Sequence, residues 1–105
     1  MSGNSLLVDT NILLYLLSGD QAVTKLLNGK RLYISFITEL ELLGFAGLKD
    51  GELLVIEELI DDVRICDINT EIKKETVRLK RSMKMKLPDA IIAATSNCME
   101  LPLLT

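Results

Sequence analysis

The sequence predicts an α/β fold, a three-layer α/β/α sandwich with a central parallel sheet, and three observations predict it. Short apolar runs with no polar alternation, such as Leu6-Leu7-Val8, suit strands covered on both faces. These runs alternate along the chain with stretches of helical periodicity, the pattern of crossover units in parallel sheets. Apolar residues form 49% of the chain and aromatics only 4%, so the core is aliphatic and suited to stacked layers. With 105 residues and no repeat, low-complexity run or linker, residues 1–105 are expected to form one domain.

Ser5 to Asp9 is the first strand. Thr10 or Asn11 then caps a helix whose apolar run, Ile12 to Leu17, is stopped by Ser18-Gly19-Asp20. Gln21 to Asn28 forms a second short helix closed by Gly29. Lys30 to Ser35 is the second strand. Ile37 to Gly47 follows as a helix, with Ile37, Leu40, Glu41, Gly44 and Leu48 on one stripe. Asp50-Gly51 turns into an amphipathic helix over Glu52 to Asp62, and Val63 to Asp67 is the third strand. Asn69 or Thr70 caps a helix from Glu71 to Met83, with Ile72, Leu79 and either Thr76 or Val77 inward and its bases outward. Pro88 opens another helix, where its missing N–H is harmless, and that helix runs to Cys98. Leu101 to Leu104 begins a fourth strand. Tyr15, Tyr33, Phe36, Phe45 and Cys66 are expected in the core, with Met83 and Met85 against a helix end.

The net charge of −3 gives no reason by itself to expect a polyanionic partner, but it conceals a segregation. Asp50 to Glu71 holds eight acids and one base, Arg64, whereas Lys73 to Lys86 holds seven bases and one acid, Glu75. Two cysteines, Cys66 and Cys98, make no disulfide framework, and the absence of histidine removes zinc-finger spacing and imidazole-dependent serine or cysteine catalysis. The run from Leu6 to Leu17 is broken by Asp9, Thr10 and Asn11 and has no basic leader, so neither a signal peptide nor a membrane span is expected, and a cytoplasmic location is the default.

Three acids stand in otherwise apolar surroundings: Asp9 at a strand end, Glu41 within a helix, and Asp89 directly after Pro88. Each has a structural alternative. Asp9 could cap a helix, Glu39 lies near Glu41 and periodicity separates the two poorly, and an acid in a first helical turn is favoured by the helix dipole alone. Yet strand carboxyl ends are where open α/β sheets collect their active groups, and the Ala-rich face of Ala90, Ala93 and Ala94 allows the close packing that would leave Asp89 at a cleft. Carboxylates without His or Cys make a hard oxygen site suited to Mg²⁺ or Mn²⁺, ions that serve phosphoryl chemistry.

Val8-Asp9-Thr10-Asn11, Ser35-x-Ile37-Thr38-x-x-Glu41-Leu42 and Leu87-Pro88-Asp89-x-x-Ile92-Ala93-Ala94-Thr95 resemble, in order and spacing, the PIN-domain ribonucleases, and among them the VapC-like toxins of toxin-antitoxin pairs. The resemblance implies an endoribonuclease that cuts single-stranded RNA to leave a 5′-phosphate, with Asp9, Glu41 and Asp89 as catalytic metal ligands for Mg²⁺ or Mn²⁺. It further implies that Asn11, Thr38 and Thr105 support them. The family usually carries a fourth acid after a Thr in the next strand, and this chain ends at Thr105, so a C-terminally truncated domain with an incomplete last strand and helix is expected. The exposed bases before Asp89, above all Lys80, Arg81, Lys84 and Lys86, are candidates to flank RNA. A homodimer and an antitoxin protein are the expected protein partners. A second reading has the domain silent and acting through dimer or antitoxin contacts, because Ile12 to Leu17 and Leu53 to Ile60 carry more apolar surface than one small core needs. A phosphatase-like site is disfavoured, since Asp9-Thr10-Asn11 lacks the adjacent acid such sites need.

Overall fold

The computed structural model describes residues 4–105. Four strands, β1 (Ser5–Val8), β2 (Arg31–Ser35), β3 (Arg64–Cys66) and β4 (Leu103–Leu104), form one sheet in the order β3-β2-β1-β4, with every pairing parallel. Leu7 pairs with Tyr33 on one side and Leu103 on the other, so β1 lies at the centre of the sheet. The helices are α1 (Thr10–Leu17), α2 (Gln21–Leu27), α3 (Phe36–Leu43), α4 (Asp50–Asp62), α5 (Thr70–Met83) and α6 (Leu87–Met99).

Alternation along the strands divides the core into two sides. Leu6, Val8, Leu32, Ile34 and Leu104 pack with Ile12, Leu13, Leu27, Leu42 and Ile56 of the first four helices. Leu7, Tyr33, Cys66 and Leu103 face the other way, against Ile92 of α6. The α5 helix then packs on α6 through Ile72, Leu79, Ala90 and Ala94, where the small alanines allow close approach. The predicted three-layer α/β/α sandwich is therefore the observed one.

Several local expectations need correction. The helix expected over Ile37 to Gly47 stops at Leu43, because Gly44 takes the C-cap with its N–H on the Leu40 carbonyl oxygen, and the chain reverses at Gly47 with φ +84°. Of the caps the sequence offers for α1, Asp9 is the one used and not Thr10 or Asn11: its carboxylate accepts from the Ile12 N–H at 2.9 Å. In α5 the inward residue is Thr76 and not Val77, and the Thr76 hydroxyl is satisfied by the Ile72 carbonyl oxygen at 2.7 Å. Tyr15 and Phe45 are not core residues: they are 54% and 56% exposed. Met83 is likewise exposed, while Met85 packs against the α5/α6 core. No helix among the described residues is long and apolar enough to cross a membrane.

Candidate active site

Three separate elements bring the candidate acids to the carboxyl end of the sheet. Asp9 follows β1 directly, and its φ of −84° and ψ of 173° keep the backbone extended while the side chain turns back to cap α1. Glu41 stands on α3, which leaves β2 without a connecting residue because Ser35, the last strand residue, is also its cap and accepts from the Ile37 N–H at 3.2 Å. Asp89 lies in the first turn of α6, just past Pro88. The packing of Ala90 and Ala94 on α5 and of Ile92 on the sheet fixes the azimuth of that turn.

Asp9, Glu41 and Asp89 line one cleft of about 210 Å³, together with Thr10, Asn11, Leu14, Phe45 and Ile92. Asp9 and Asp89 also border an adjoining cavity of about 280 Å³ shared with Met85, Leu103 and Thr105. Asn11 thus lies within the site and Thr105 at its margin. Thr38 is fully buried behind it, 3.1 Å from the Thr10 hydroxyl. Glu39, the rival of Glu41, does not line the cleft.

The three carboxylates share the cleft without converging: among the described residues no three acidic, cysteine or histidine side chains are close enough together to hold one ion as they stand. The lining contains three acids and no base. Like charges facing one another with no cation between them repel, and a divalent ion is the species that would draw them together. Asp9 has one oxygen engaged by the α1 cap, and Glu41 has one engaged by the Thr10 hydroxyl at 2.7 Å. Each keeps its other oxygen for an ion. The donor set, all oxygen and anionic, fits Mg²⁺ or Mn²⁺.

None of the basic candidates lines this cleft. Arg81, Lys84 and Lys86 are exposed on the end of α5 and the turn before α6. Lys80 is partly committed, because its Nζ donates to the Met85 carbonyl oxygen at 3.0 Å and so closes that turn. The lining of the cleft also includes two features the sequence did not reveal. Thr10 is one, since its partners lie 28 and 31 residues away and no local pattern announces them. The other is Phe45, which lines both the acidic cleft and a neighbouring apolar cavity of about 390 Å³ formed by Leu14, Leu17, Leu42, Leu48, Val55 and Ile56.

Burial pushes the Cys66 thiol up, which leaves it a small core residue. Burial and the nearby acids Glu75 and Glu71 likewise raise the Cys98 thiol.

The model of the PIN-domain family matches residues 6–105. Among solved structures, a toxin-antitoxin complex from Klebsiella pneumoniae is similar at 34% identity and a TM-score of 0.85, covering 95% of this chain and 84% of that one. VapBC-1 from nontypeable Haemophilus influenzae is similar at 27% identity and a TM-score of 0.77, covering 96% and 85%. VapBC2 from Rickettsia felis, bound to a DNA fragment from its promoter, shares the fold at 17% identity with a TM-score of 0.84, covering 96% and 86%. Curated proteins yield no match.

Proposed function

This chain belongs to the PIN-domain family, and we propose that within it the protein is a metal-dependent endoribonuclease acting on single-stranded RNA as the toxin of a toxin-antitoxin pair. The observation that carries this reading is that Asp9, Glu41 and Asp89, from the end of β1, α3 and α6, line one cleft whose lining contains no base. Mg²⁺ or Mn²⁺ bound there supplies Lewis-acid chemistry and lowers the pKa of water near a phosphodiester. The residues of the chain do the holding. Asp9 presents its free carboxylate oxygen from the end of β1, Glu41 presents one from α3, and Asp89 lines the same cleft from the first turn of α6. Asn11, exposed at the rim, is placed to donate to a phosphate oxygen. Arg81, Lys84 and Lys86, exposed on the stretch that leads into the helix carrying Asp89, would pair with neighbouring phosphates of the RNA.

Similarity to the Klebsiella toxin-antitoxin complex supports an antitoxin as protein partner. The apolar cavity beside the cleft, with exposed Phe45 and Val55 at its edge, gives such a partner surface to bury, and it also favours the second reading of a domain that acts through protein contacts alone.

The test incubates single-stranded RNA with the protein and Mn²⁺ or Mg²⁺. Cleavage should require the ion and fall by roughly 100-fold or more in Asp9→Asn, because that change removes an anionic ligand. Undiminished cleavage by folded Asp9→Asn protein would overturn the nuclease reading, and a wild-type protein inert toward RNA but able to bind an antitoxin would leave the second.

A further inference from the structure

We infer that Thr10 is a positioning residue that aims the Glu41 carboxylate and is itself set by Thr38; the inference rests on the metal-site reading above and adds to it. Thr10 Oγ1 lies 2.7 Å from Glu41 Oε1 and 3.1 Å from Thr38 Oγ1. A threonine hydroxyl has one proton, and a carboxylate can only accept. Thr10 therefore gives its proton to Glu41, and Thr38 completes the second contact by donating to Thr10. Thr38 is 0% exposed, so its hydroxyl has no water to turn to, and Thr10 is the acceptor within reach.

This relay starts on α3, crosses to the first residue of α1 and returns to α3 one turn further on. It couples the helix that carries Glu41 to the helix that Asp9 caps. Glu41 is otherwise exposed and free to sample many rotamers, and fixing one oxygen removes that freedom before an ion arrives. The Ile12 N–H does the same for Asp9. Two of the three carboxylates thereby offer a single oxygen each. One-oxygen ligation suits a small ion that keeps several waters in octahedral geometry, whereas Ca²⁺ takes more ligands and often both oxygens of a carboxylate. Thr10 then contributes to the choice of ion as well as to affinity.

The experiment titrates Mn²⁺ and Ca²⁺ into the full chain without RNA, by calorimetry, for wild type, Thr10→Val, Thr10→Ser and Glu41→Gln, with circular dichroism to verify folding. Thr10→Val, nearly isosteric but without the hydroxyl, should weaken Mn²⁺ binding roughly 10- to 100-fold, the usual effect of removing a group that orients a metal ligand, and narrow the preference over Ca²⁺. Thr10→Ser, which keeps the hydroxyl, should restore most of the affinity. Wild-type affinity in folded Thr10→Val overturns the inference. Glu41→Gln separates that failure from failure of the site itself: if Glu41→Gln loses Mn²⁺ while Thr10→Val does not, only the role of Thr10 falls, and if neither loses it, Glu41 is no ligand and the role of Thr10 falls with that of Glu41. Should Thr10→Val not fold, Thr10→Ala carries the same comparison.

Discussion

At the scale of single residues, Asp9 is asked to do two things, and substitution can separate them. Its carboxylate caps α1 through Ile12 while sharing a cleft with Glu41 and Asp89. Asn caps helices about as well as Asp, so Asp9→Asn should leave thermal stability close to wild type while Mn²⁺ binding is lost; Asp9→Ala should lose both, with a stability decrease of about 1 kcal/mol. Denaturant titration beside metal calorimetry checks the pair, and equal destabilisation by the two substitutions would mean the cap bond is not what Asp9 contributes to the fold. Asp9 was legible in the sequence because a carboxylate that interrupts an apolar strand is conspicuous without any knowledge of its neighbours. Glu41 was less so. Glu39 and Glu41 both fit a helical stripe, and only the placement of α3 against β1 and α6 puts Glu41 at the cleft. Thr10 was not legible as a working residue at all, because its hydroxyl acquires meaning only when α3 is brought against α1.

The α5–α6 pair is the element on which the position of Asp89 depends. Glu75 on α5 accepts two bonds from Arg78, at 2.7 and 2.8 Å, and one from the Asn97 amide of α6 at 2.8 Å. The Arg78 guanidinium first, and the Asn97 amide second, hold the Glu75 carboxyl down from 4.5 to about 2. A carboxyl whose pKa is lower in the folded chain than in the unfolded one favours folding at pH values above about 4.5 and loses that contribution as the pH falls toward 2. Glu75→Gln should therefore be less stable than wild type at neutral pH, and the gap should close in acid; a gap that stays constant from pH 7 to pH 2.5 in urea titrations would refute the linkage. The same helix pair holds two residues in the left-handed region, Lys84 (φ 51°) and Glu100 (φ 53°), each a C-cap. Glu100→Gly should relieve that strain and raise stability by up to about 1 kcal/mol, read as a higher denaturant midpoint at unchanged slope. The helices and strands were legible in number, order and type because apolar spacing is a local property. Their ends were not: α3 stops four residues early at Gly44, and the choice of Thr76 over Val77 depends on which face of α5 meets the alanines of α6.

Over the whole molecule, the charge segregation seen along the sequence becomes a segregation in space. The acidic α4 belongs to the layer packed with Leu6 and Val8, whereas the basic α5 packs with α6 on the other side of the sheet. A net charge of −3 is thus a poor description of what a polyanion meets as it nears the cleft. The carboxylates lie at the carboxyl end of the sheet, and the basic end of α5 leads by way of Lys84 and Lys86 to the helix that carries Asp89. An RNA strand with one phosphate at the acids would place its neighbours along this rim. Binding of a short single-stranded RNA to Asp9→Asn protein should accordingly weaken with salt, and Lys84→Glu combined with Lys86→Glu should reduce the slope of log affinity against log salt by about 0.7 for each phosphate contact removed. Lys25→Glu, on α2 in the opposite layer, changes the net charge by the same amount per residue but should leave the slope unaltered. Fluorescence anisotropy across a salt series distinguishes the cases. Equal slopes for all three proteins would mean that total charge and not the α5 rim guides the RNA, whereas a loss confined to the Lys84 and Lys86 pair would fix the direction in which the strand approaches Asp9.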